Sequence, residues 1–258
     1  VIPSIGAQLM ASTWVEDIRT WRAPDLTDDG VGLLNQTLDE VLGSQGGRVG
    51  IPGGQESQLR MPLADFWQLQ ADRPDRDFTH DANLVRKTRS IKSSAEISKI
   101  EAACVVAGQA FARLEEVVQP GQTQAQIFRG FQKLLLDEGA DFVPYVAGGF
   151  GPMGYKDVIS PANDTHVALG DVVMLDTGMI LDGYFADFDR NVSVGRPPAP
   201  AVAATHDKLI EAVAAGFDRA KPGERICDLF AAMDQVLTGG KNQADSGRFG
   251  HGLGMQLT

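Results

Sequence analysis

Apolar residues recur at helical spacing behind Ser93-Ser-Ala-Glu96: Ile97, Ile100, Cys104, Ala107, Phe111, Leu114 and Val118 fall on one face. The Ser-x-x-Glu signature caps that predicted helix, and Pro120-Gly121 ends it. Thr123-Gln-Ala-Gln126 opens a second helix, with Ile127, Phe128, Phe131, Leu134 and Leu135 on its apolar side and Gly139 closing it. The pattern then changes to β-rich runs, Val172 to Leu175 and Val192 to Val194, around the hairpin turn signal Asp182-Gly183. A further helix pair is predicted from about Val202 to Arg219 and from Ile226 to Leu237, broken at Lys221-Pro-Gly223. The two Pro-Gly breaks lie 102 residues apart, each between amphipathic helices, which suggests an internal duplication about a pseudo-two-fold axis. Helices covering one face of an antiparallel sheet make an α+β protein.

Residues 1 to about 90 read differently. Asp28-Asp29-Gly30 opens a helical pattern ending near Gly43, and Arg48 to Ile51 forms a short strand closed by Pro52-Gly53-Gly54. Trp14, Trp21 and Trp67 all fall here and are expected to pack in a core or an interface.

The chain has 258 residues, 43% apolar and 22% charged, which suits one large or two modest globular domains. A net charge of −11 argues against nucleic acid and anionic membranes as partners, and no apolar run is long enough to span a bilayer. Cys104 and Cys227 sit at apolar positions of predicted helices, where buried free thiols and a reducing, cytoplasmic compartment are expected. The start, Val-Ile-Pro-Ser-Ile-Gly, lacks both an initiator Met and a signal-peptide shape.

Chemistry concentrates in the hairpin. Asp176 and Asp187 are eleven residues apart across the Asp182-Gly183 turn. Residues paired across a two-residue loop are separated by an odd number of positions, so both carboxylates fall on one face, paired or diagonal. Two carboxylates side by side on a buried face repel each other unless a proton or a cation holds them. His251, in the glycine frame Gly250-His251-Gly252, favours a cation, since neutral imidazole is a common metal ligand.

These pieces resemble the pita-bread metallopeptidase family of methionine aminopeptidase, aminopeptidase P, prolidase and the metal-free creatinase. The shared segments are Arg89 to Glu96, Gly170-Asp171, Asp176-x-Gly178, Gly183-Tyr184, Asp187 with Arg190, and Gly250-His251-Gly252, across residues 86 to 258. The resemblance implies residues 89–258 as a pita-bread catalytic domain, an antiparallel sheet covered by two pseudo-symmetric helix pairs. Residues 1–88 would be part of a smaller α/β N-terminal domain. It further implies Asp176, Asp187 and His251 as ligands of two divalent ions, manganese, cobalt or zinc, and a homodimer. The implied activity is an Xaa-Pro peptidase acting on short peptides through a metal-activated hydroxide. Alternatives are a creatinase- or ectoine-hydrolase-like C–N hydrolase or a lyase acting on a small metabolite, and a non-catalytic binding module.

Three departures qualify that expectation. Family members carry two more glutamate ligands after the Gly-His-Gly segment, and here the sequence stops at Thr258. The chain is therefore expected to be a truncated piece of a longer protein, inactive or metal-free by itself, with the proton-shuttling glutamate beyond Thr258. Thr258 itself occupies the position of a family histidine that contacts substrate. A third family histidine is missing from Lys156 to Ile159, where His166, in the loop before Gly170-Asp171, is the candidate stand-in against a plain loop histidine. Asp189 stands where relatives usually carry Thr; it either orients a ligand or pairs with Arg190 or solvent. Tyr145, Tyr155 and the glycines near them read as a surface loop rather than a pocket lining.

Overall fold

A computed structural model describes residues 1–43, 46–54, 57–241 and 247–257. It divides into two units, residues 1–91 and 92–258. The first contains β1 (Ile2–Pro3), α1 (Ala7–Met10), β2 (Thr20–Trp21), α2 (Val31–Leu42), β3 (Gly47–Ile51), α3 (Leu63–Asp72), β4 (Arg76–His80) and α4 (Leu84–Ser90). Strands β1 and β2 pair in parallel, as do β3 and β4, with α3 as the crossover between the latter two. Helix α2 begins after Gly30, whose positive φ of 91° no other residue adopts readily, and the Trp21 ring lies directly over it. Trp14 and Trp67 are 91% and 60% exposed, so neither joins the core of this unit.

The second unit contains α5 (Ser94–Ala112), α6 (Gln124–Asp137), β5 (Phe142–Gly151), β6 (Val172–Leu181), β7 (Tyr184–Ser193), α7 (Pro200–Arg219) and α8 (Ile226–Thr238). Both predicted capping boxes form: Ser93 and Glu96 satisfy each other's backbone N–H at α5, and Thr123 and Gln126 do so at α6. Strands β5, β6 and β7 make an antiparallel sheet in that order, and α5 and α6 cover one face. The core between them holds Ala103, Ala107, Phe111, Ile127, Phe131 and Leu135 from the helices and Val173, Leu175, Met179 and Ala186 from the sheet. Small residues on α5 let it lie close to the strands. Ile97, in its first turn, is 47% exposed, so the buried face begins later than the periodicity predicts.

The β6–β7 turn is the predicted Asp182-Gly183, with φ of 48° and 79°, the two left-handed residues that a type I′ turn requires. Segment 142–151 is strand rather than loop. Its register slips between Phe142 and Tyr145, placing Pro144 at the irregularity where a missing N–H is tolerated. Helices α7 and α8 pack chiefly on each other. Cys104 is half-buried and Cys227 exposed, against the expectation of two buried thiols, because the first turn of α8 lies uncovered.

Candidate metal centre

Alternation along β6 sends Val173, Leu175, Thr177 and Met179 toward the helices and Met174, Asp176 and Gly178 to the opposite face. On β7, Asp187 and Asp189 share that opposite face. The register pairs Asp176 with Asp189 and Gly178 with Asp187, so Asp176 and Asp187 are diagonal neighbours. The directly opposed carboxylate is Asp189. Arg190 turns to the helix side, its guanidinium 4.7 Å from the Phe188 ring centroid and 5.8 Å from that of Phe111. It does not neutralise the acidic face at contact distance; its recorded bond to Asp189 runs to the backbone carbonyl.

His251 reaches the same face from the C-terminal segment. The Phe185 N–H on β7 donates to the Gly254 carbonyl at 2.8 Å, laying residues 251–254 beside the strand, and Phe249 stacks on Phe230 of α8. The imidazole Nε2 then lies 3.0 Å from Asp187 Oδ2, with 28% of the His side chain exposed. The other oxygen of Asp187 accepts from the Tyr145 hydroxyl at 2.7 Å.

Burial first, then the charges of Asp189 and Asp187, push the Asp176 carboxyl up to about 6. Asp189 is more open to water, and is raised as well by the protein packed round it and by Asp187. Burial and the adjoining carboxylates move the Tyr145 phenol far above its ordinary value, so it stays a donor. Burial likewise raises Tyr155, which lies near Asn191 and Asp189.

The donor chemistry fits a divalent cation: carboxylate oxygens with one imidazole suit manganese, cobalt or zinc, and a cation relieves the repulsion recorded in the raised carboxyls. The disposition is incomplete. Among the described residues no group of three or more His, Cys, Asp and Glu side chains is placed to hold an ion. His166 is not brought to the aspartates: it forms an isolated bridge with Thr123 at the start of α6. Thr258 lies outside the described residues. A cavity of about 480 Å³ lies farther along the same face, lined by Tyr155, Val172, Asn191, Thr205 and Leu209, rather than over Asp187 and His251.

The profile of metallopeptidase family M24 matches residues 98–258. The chain belongs to metallopeptidase family M24. Among similar proteins, the probable dipeptidase PepE of Mycobacterium tuberculosis is 30% identical over 230 residues, covering 88% of this chain and 58% of the relative. An Xaa-Pro dipeptidase of Pyrococcus horikoshii is 26% identical over 208 residues, covering 79% of this chain and 58% of that protein. The crystal structure of prolidase from Thermococcus sibiricus superposes with a TM-score of 0.81 at 20% identity, covering 99% of this chain and 67% of that one. The M24 chain thus has the pita-bread fold of the prolidases and spans little more than half the length of the curated relatives it matches.

Sequence reasoning left Asp189 open and read Tyr145 as a loop residue. The odd spacing rule that found Asp176 and Asp187 already placed Asp189 on their face. No short-range signal pointed to Tyr145, because its partner is 42 positions away.

Proposed function

We propose that the M24 chain is part of a divalent-metal-dependent hydrolase that cleaves short Xaa-Pro peptides, with Asp176, Asp187 and His251 as its share of a dinuclear centre. The observation that carries this is two carboxylates on one half-buried sheet face with an imidazole 3.0 Å from one of them. When bound, such an ion pair supplies an acidified water and an electrophile for the scissile carbonyl. The chain's own residues orient and charge the site: Asp187 joins the histidine to the sheet, and Asp189 keeps the face anionic beside Asp176. The two remaining carboxylate ligands and the proton-transferring glutamate belong to sequence beyond Thr258 in this reading. It also takes residues 1–88 as part of an N-terminal α/β domain, and the protein as a cytoplasmic homodimer.

The test is turnover of an Xaa-Pro dipeptide and tripeptide panel by the full-length protein loaded with manganese or cobalt. No turnover with metal demonstrably bound counts against the peptidase. A C–N hydrolase of small metabolites is the second reading, favoured by the absence of histidine from Lys156 to Ile159. Activity on cyclic or acylated amines but not on dipeptides would select it.

A further inference from the structure

One strand, β6, lies between Tyr145 and Asp187. The register sets Tyr145 opposite Gly178 and Gly178 opposite Asp187, one cross-strand row over β5, β6 and β7. Neighbouring strands lie about 4.8 Å apart, so the ends of such a row are about 10 Å apart at the backbone. Only a long side chain crossing an empty middle position closes that gap. Gly178 is the empty position: a Cβ there would lie 2.5 Å from Tyr145 Cε1. The phenol crosses it and donates to Asp187 Oδ1 at 2.7 Å, while Thr177 Oγ1 donates to the Tyr145 carbonyl at 3.0 Å and pins that strand.

Resting on the metal-centre reading above, we propose that Tyr145 is a positioning residue of the centre. Its hydroxyl locks the Asp187 carboxylate in the orientation that faces His251 and a cation, and Gly178 supplies the passage. An aspartate free about its two side-chain torsions presents its oxygens in several directions; one fixed hydrogen bond removes most of them. Loss of such an outer partner typically weakens metal binding by about 10- to 100-fold.

Calorimetric titration of manganese(II) and cobalt(II) into the full-length protein as wild type, Tyr145→Phe, Gly178→Ala and the double variant tests this, with unfolding curves checking that each folds. Tyr145→Phe is expected to bind about 10- to 100-fold more weakly and to shift the visible absorption of bound cobalt. Gly178→Ala displaces the same ring, so the double variant should bind no more weakly than Tyr145→Phe; should Gly178→Ala not fold, Tyr145→Phe carries the comparison alone. Wild-type affinity and an unchanged cobalt spectrum in Tyr145→Phe overturn the proposal. If the wild type takes up neither ion, the metal-centre reading falls separately, and crystal structures of wild type and Tyr145→Phe decide the orientation. Asp187 swinging from His251 only in the variant supports the lock, and an unmoved Asp187 overturns it.

Discussion

Asp176 meets the least hospitable surroundings of any carboxylate at the site. Its folded value of about 6 exceeds the unfolded value near 4, so the folded metal-free chain binds the extra proton between those limits. Stability from this group is complete below pH 4 and is lost as pH rises through 6. After allowance for solvent reaching a half-buried, coupled group, the change is on the order of 1 kcal/mol. Chelator-treated protein should therefore melt higher at pH 5 than at pH 8, and Asp176→Asn should flatten that difference; an equal slope in the variant would assign the effect elsewhere. The thiols offer a second check. Burial and Glu101 raise Cys104, whereas Cys227 is exposed. At pH 7.5 an aromatic disulfide reagent should label one thiol fast and the other only slowly until denaturant is added. The acidic face was readable because parity along a hairpin is a local rule. The half-burial of Cys104 and the reach of Tyr145 depend on residues that no window of sequence brings together.

Helices and turns carried the strongest local signals. The Pro-Gly breaks recur with the same geometry: Gly121 and Gly223 both have positive φ, and α6 and α8 each start four residues after the proline. Their polar ends differ, since Thr123 and Gln126 close a capping box while Arg225 and Asp228 at the matching positions form an ion pair at 2.8 Å. Thr123→Ala should lower stability by about 1 kcal/mol in urea unfolding. Arg225→Ala, which loses only an exposed, solvent-screened pair, should change stability less than Thr123→Ala does. Phe131 is fully buried between α5 and the sheet, so Phe131→Ala is expected to cost about 3–5 kcal/mol by the same assay. Strand β5 was illegible for a physical reason. Pro144 and the glycines of Phe142–Gly151 imitate a loop, and only pairing with β6 makes them a strand.

For the molecule as a whole, the acidic face and the metal centre proposed on it link binding to stability. Any cation that binds only the folded state stabilises it by mass action, by about 2.7 kcal/mol at a hundredfold excess over Kd. Manganese should raise the melting temperature of the full-length protein, a chelator should reverse the rise, and Asp187→Ala should abolish it. A rise that survives in Asp187→Ala would place the ion elsewhere. Among the described residues no helix is long and apolar enough to cross a membrane.

Sequence alone determined the local order of residues 93–238: which segments there are helices, where the hairpin turns, and that Asp176 and Asp187 share a face. Each follows from periodicity, capping or the two-residue repeat of a strand, which act over a few neighbouring positions. Tertiary structure alone decided that Tyr145 crosses Gly178 to reach Asp187 and that His251 closes on the same carboxylate. Those contacts join segments 42 and 64 residues apart, and strand register and packing, not local preference, bring such distant side chains within bonding distance.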